Sequence, residues 1–265
     1  MKTVIFYFTG TGNNYYIAKK LQECIENVDI YPFHCIKEKP DLINNYERVI
    51  YCVPVYYSHV PPYVRETLKD INYAEQKEII TIVGCGGNRG HAIEDMRECI
   101  NATGQNVVGE YKVIMPGNYI LSYSAFPQII QSIEDYLADR KIKKIIKAIK
   151  NHKLTVLKRE GIFYKKENEP RLQDAMKSFA KIAQQYEVSE ECAGCGTCVA
   201  VCPVNNIRMV DKKPQFSDKC QQCMACIQWC PKKCIDYENK VLGKKRYHHA
   251  DAKVREIAAA NQGNL

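Results

Sequence analysis

Two runs of cysteine, offset by 28 residues, constrain this chain more than any other feature. Cys192, Cys195, Cys198, Cys202 and Pro203 are matched by Cys220, Cys223, Cys226, Cys230 and Pro231, and the correspondence continues from Ile207 to Ile235. Each run reads C-x2-C-x2-C-x3-C-P, so the duplication predicts a small module with pseudo-two-fold symmetry. Nine of the 14 cysteines fall between Cys192 and Cys234, while Cys24, Cys35, Cys52, Cys85 and Cys99 are scattered. In a reducing compartment disulfides do not supply stability, so this density points to metal or redox chemistry. A zinc ribbon uses two C-x2-C pairs and four ligands in all; here the thiols come as three plus one, twice.

The spacing suits an iron–sulfur cube. Three close thiolates can wrap a short loop around three iron corners, and the small residues Ala193, Gly194, Gly196 and Thr197 let backbone N–H groups approach the sulfurs. Pro203 and Pro231, which lack an N–H, fix the chain direction just after the fourth cysteine. Over about 50 residues the region resembles the bacterial two-cluster ferredoxins, in which the fourth cysteine of each run ligates the other cluster. The resemblance implies one [4Fe–4S] cluster on Cys192, Cys195, Cys198 and Cys230. It implies a second on Cys220, Cys223, Cys226 and Cys202, and one-electron transfer at low potential. Cys234 matches Asn206 of the first repeat and reads as a packed spectator.

The first 115 residues alternate short apolar runs with amphipathic stretches. Val4–Phe8, Val49–Val53 and Ile79–Val83 read as strands, with Ile30–Phe33 and Val107–Ile114 as further candidates. Helical stripes follow at Ile17, Leu21 and Cys24–Ile25, at Val64, Leu68 and Ile71, and at Ile93, Met96 and Ile100. Strands alternating with helices predict a parallel sheet covered on both faces. The expected fold class is α/β: a flavodoxin-like doubly wound parallel five-stranded sheet, followed by a small α+β two-cluster ferredoxin domain.

Thr9-Gly10-Thr11-Gly12-Asn13-Asn14 follows the first strand and opens the first helix. Successive backbone N–H groups in such a turn, together with the helix N-terminus, attract a phosphate. No Walker lysine follows, and Tyr15 stands where a dinucleotide fingerprint needs its third glycine. The loop resembles the flavodoxin phosphate loop, with Asn14 where that family usually carries threonine. Pro54-Val55-Tyr56-Tyr57 resembles the flavodoxin loop that packs an aromatic ring on the isoalloxazine. Gly84-Cys85-Gly86-Gly87-Asn88 resembles the second flavin loop, and Asn118 and Tyr119 border the same site. Together these imply bound FMN, and most of the chain, outside the basic 140–166 stretch and the tail, resembles the flavodoxin–ferredoxin fusion proteins of anaerobes.

The expected organisation is an FMN-binding domain over 1–186, a two-cluster domain over 187–240 and a C-terminal tail over 241–265. Between Pro116 and Tyr164 only Ile142, Ile145, Ile146 and Ile149 share a helical face, within the basic stretch Arg140–Lys166. Further helices are expected over Arg171–Tyr186 and Ala252–Ala260. The 38 basic and 30 acidic residues give +8. Eight thiolates, two cluster cores and a phosphate would lower this to about +2, so nucleic acid is not an expected partner. The basic stretch reads as a solvated face or as a docking surface for an acidic redox partner. Val4–Phe8 is too short for a membrane span or a signal h-region, so a cytoplasmic protein without a membrane span is expected. The expected role is electron transfer between two [4Fe–4S] clusters, an FMN and external redox partner proteins. An FMN-dependent reductase fed by the clusters and a redox sensor are the alternatives.

Overall fold

A computed structural model of the chain describes residues 1–158, 174 and 177–262. Five parallel strands, β1 (Thr3–Tyr7), β2 (Val28–Pro32), β3 (Arg48–Pro54), β4 (Glu78–Cys85) and β5 (Val107–Ile114), form one sheet in the order β2-β1-β3-β4-β5. This is the flavodoxin-like order, whose switch point lies between β1 and β3. β1 and β3 are buried throughout, as helices on both faces of a parallel sheet require.

The two-residue period of the strands sorts the core into two layers. Val4, Phe6, Val49, Tyr51, Val53, Ile79 and Val83 face α3 (Pro62–Lys69) and α4 (Ala92–Asn101). Ile5, Tyr7, Ile50, Cys52, Ile80 and Ile82 face α1 (Asn13–Cys24) and α5 (Gln128–Lys150). A four-residue helix, α2 (Cys35–Glu38), follows β2.

α5 is longer than its pattern announces. Ile142, Ile145, Ile146 and Ile149 are buried as expected, but the helix begins at Gln128. In its first half Ile129, Ile133, Tyr136 and Leu137 are exposed, which hides any inward stripe. The part of the basic stretch beyond residue 158 lies outside the described residues. Of the helix expected over Arg171–Tyr186, residues 171–173, 175 and 176 also lie outside them, and α6 (Phe179–Gln184) is described.

The cysteine module shows the duplication in its backbone. α7 (Thr197–Ala200) and α8 (Ala225–Gln228) are offset by the same 28 residues as the cysteines. β6 (Glu187–Val188) pairs antiparallel with β9 (Ile235–Asp236), and β7 (Ile207–Val210) with β8 (Lys213–Phe216). Left-handed residues recur at equivalent places: Gly194 with Gln222, Gly196 with Met224, and Asn205 with Lys233. The chain closes with α9 (Val254–Asn261).

Candidate functional site

The left-handed residues turn each cysteine loop back on itself, so that three thiols of one run converge with the fourth of the other. One cavity is lined by Cys192, Cys195, Cys198 and Cys230, with Met209, Pro214 and Ile235. A second is lined by Cys202, Cys220, Cys223 and Cys226, with Tyr186, Ile207 and Phe216. Burial pushes the Cys198 and Cys220 thiols up to about 11 and raises Cys226 further. The Thr197 hydroxyl 3.3 Å from Cys195 Sγ lowers that exposed thiol instead. Four thiols around an apolar pocket are a donor set for iron or another thiolate-binding cation, whose charge would deprotonate them. Backbone N–H groups already point at sulfur: Asn206 N donates to Cys202 Sγ and Gln222 N to Cys220 Sγ, each at 3.3 Å.

At the carboxyl end of the sheet a third cavity, of about 260 Å³, is far larger than the roughly 10–15 Å³ needed to hold one water. Its floor is the loop between β1 and α1. The Thr9 hydroxyl accepts from Gly12 N at 3.1 Å and closes the turn. Gly12, left-handed at φ 96°, precedes the helix, whose first carbonyl bond is Tyr16 N to Gly12 O. The N–H groups of the first turn therefore remain available to an anion. Asn14 Nδ2 donates to Phe8 O, and Asn118 Nδ2 to Thr11 Oγ1 at 2.6 Å.

One wall comes from the turn after β3. Tyr56 and His59 exchange both backbone hydrogen bonds around left-handed Tyr57 (φ 49°) and Ser58 (φ 68°). Two L-residues in that conformation cost roughly 1–2 kcal/mol each. The turn is held from behind: His59 Nδ1 lies 2.9 Å from the Asp95 carboxylate, which also accepts from Val60 N. Tyr57 packs against Tyr119, their hydroxyls 2.6 Å apart.

The opposite wall belongs to the second cysteine run. Gln222, Cys223 and Met224 line this cavity, and Cys223 and Met224 also line the second cysteine cavity. The first repeat has glycine where Gln222 and Met224 stand. The second repeat thus keeps side chains at two left-handed positions where it walls another cavity. Gln222 is 3% exposed; its Oε1 accepts from the Tyr119 hydroxyl, and its Nε2 finds no partner among the described residues. That donor, the aromatic walls and the anion-binding turn together fit a flat heterocycle carrying a phosphate.

Of the residues expected at the flavin site, Thr9, Gly10, Thr11, Asn13, Asn14, Pro54, Val55, Tyr56, Tyr57, Gly84, Cys85 and Gly86 line the cavity, as do Asn118 and Tyr119. Gly12, Gly87 and Asn88 do not. Gly12 turns toward the tail, where an added Cβ would meet that of Ala252 at 2.5 Å. Asn88 closes its own loop by accepting from Gly90 N. His59 is also outside the cavity, buried beneath the turn that it supports.

The tail is part of the site's frame. His249 N donates to Thr11 O at 2.9 Å, and the Tyr247 hydroxyl to Asn13 Oδ1 at 2.7 Å. Gln228 Nε2 donates to Asn118 O. These contacts join residues more than 100 positions apart and leave no local sequence signal; Gln222 and Met224 could have been found by comparing the repeats.

A family model described as a flavodoxin domain matches residues 4–134, and one described as a 4Fe-4S dicluster domain matches residues 184–231. An uncharacterized protein of Methanocaldococcus jannaschii is 44% identical over 39 residues, 15% of this chain; the chain spans 11% of that protein's length. Among solved structures, oxidised flavodoxin 1 from Bacillus cereus is 15% identical over 57% of this chain and 98% of its own, with a TM-score of 0.40. A flavoprotein in complex with FMN from Lactobacillus acidophilus is 15% identical over 42% and 92%, with a TM-score of 0.33. A flavo di-iron protein from Thermotoga maritima is 18% identical over 57% of this chain and 35% of its own, with a TM-score of 0.37.

Proposed function

We propose, from the premise that this chain is a flavodoxin domain fused to a 4Fe-4S dicluster domain and so an iron–sulfur flavoprotein of electron transfer, that it is a built-in relay between one-electron partners and FMN. Cys192, Cys195, Cys198 and Cys230 would hold one [4Fe–4S] cluster and Cys202, Cys220, Cys223 and Cys226 the other. The loop from Thr9 to Asn14 would take the FMN phosphate, with Tyr56, Tyr57, Tyr119 and Gln222 around the ring. Bound there, the clusters supply electrons singly and the flavin accepts one or two.

The observation that carries this reading is the wall shared by two cavities: Cys223 belongs both to a cysteine set and to the flavin cavity. The residues also support an order. Cys195, the exposed cysteine of the two sets, belongs to the first cysteine cavity, whereas Cys223 belongs to both the second and the flavin cavity. In this reading electrons would pass from the surface to the first cavity, the second cavity and the flavin cavity in turn. The exposed Arg140, Lys141, Lys143, Lys144, Lys147 and Lys150 of α5 would steer an acidic partner, an attraction that salt weakens.

Anaerobic purification followed by iron, sulfide and flavin quantification tests the loading. About eight irons and one FMN per chain are expected; about four irons, or no flavin, would refute the relay.

A further inference from the structure

The two cysteine cavities are not equivalent, because the first contains a fifth thiol. Cys234 lines it together with the four cysteines of its set. Its Sγ lies 3.4 Å from Cys230 Sγ, and the residue is 6% exposed. The backbone places it there. Lys233 is left-handed at φ 53°, and Ser189 N donates to Cys234 O at 2.9 Å, fixing the residue just ahead of β9.

The first repeat has the same backbone and a different side chain. Asn205, at φ 50°, occupies the place of Lys233, and Asn206 the place of Cys234. Asn206 spends its side chain on structure: its Oδ1 accepts from Lys219 N at 2.6 Å. Cys234 instead presents sulfur to the cavity at a position where the fold accepts an amide.

We propose that Cys234 is an alternate ligand of the first cavity, able to take the fourth position when Cys230 is lost; the proposal rests on the first cavity being an iron–sulfur site. In an exchange with Cys230 present, the bond from iron to Cys230 Sγ would break as the bond to Cys234 Sγ formed. With Cys230 present the Cys234 proton would pass to it; with Cys230 replaced that proton would go to solvent, and in neither case is anything oxidised or reduced. The second cavity has no such reserve, since Asn206 offers it no thiolate.

The test uses the full chain reconstituted under argon with iron and sulfide, with iron per chain and low-temperature EPR of the reduced protein as readouts. Cys230→Ala should keep about eight irons, like the parent, whereas Cys230→Ala/Cys234→Ala and Cys202→Ala should each fall to about four. FMN content near one per chain reports that each variant has folded, and Cys230→Val serves as a second truncation of the same ligand. A drop to about four irons in Cys230→Ala with the parent at eight overturns the alternate ligand and leaves the relay standing. Four irons in the parent overturns both.

Discussion

Gly10 of the phosphate loop and Cys223 of the second cysteine run touch through their backbones: a Cβ on Gly10 would stand 2.1 Å from the Cys223 carbonyl oxygen. Only glycine permits this approach. Gly10→Ala should push the two modules apart at a typical overpacking cost of about 1–3 kcal/mol. FMN content should fall while iron content holds, measured on the same preparation.

Trp229 joins the same two loops, its Nε1 donating to Gly10 O at 2.9 Å while its ring stacks on His248. Trp229→Phe keeps most of the ring and leaves a buried carbonyl unsatisfied, a loss of about 1–3 kcal/mol. A lower denaturation midpoint with iron retained is expected; an unchanged midpoint would show the bond to be unimportant.

The Thr11 hydroxyl sits on the floor of the flavin cavity, bonded to Asn118. Thr11→Ala should raise the FMN dissociation constant about tenfold, the equivalent of one hydrogen bond, without loss of iron. Flavin fluorescence titration measures it directly.

Gln222 separates binding from stability. Its left-handed backbone is released by Gln222→Gly, which offsets the lost contact to Tyr119. Thermal stability should change little, while FMN binding weakens several-fold through loss of the Nε2 donor. Equal FMN affinity would remove Gln222 from the site.

Burial lowers the His249 imidazole to about 4, against Tyr16 and beside Thr11. A depressed folded value contributes stability above the unfolded value near 6.5, lost as pH falls toward 4. Asp135, 3.6 Å away, is raised by burial to about 6 and acts in the opposite sense, gaining stability over much of the same range. Parent and variant melts should therefore diverge: His249→Gln gains stability relative to the parent as pH drops from 6.5 to 4.

Much of this was legible in advance. Val4, Ile50 and Ile80 lie in runs that only a doubly covered sheet accepts, and the three-plus-one spacing of Cys192–Cys202 is meaningful only with a second copy. The thiol convergence was expected from the resemblance to two-cluster ferredoxins. Other features depended on distant contacts with no such guide. The outward Ile129 and Leu137 broke the helical stripe of α5, and the bond from Tyr247 to Asn13 spans 234 positions. Gln222 and Met224 were hidden because glycine marks a left-handed residue and they are not glycine; only their match to Gly194 and Gly196 shows what their backbones must do.

Anaerobic stopped-flow mixing with a reduced one-electron donor tests the relay most directly, by following flavin bleaching in the parent and in Cys202→Ala. Loss of the second cluster from a flavin-replete chain should slow bleaching at least tenfold, because the cavity of Cys202 is the one that shares Cys223 with the flavin. Equal rates in the two proteins would contradict the relay.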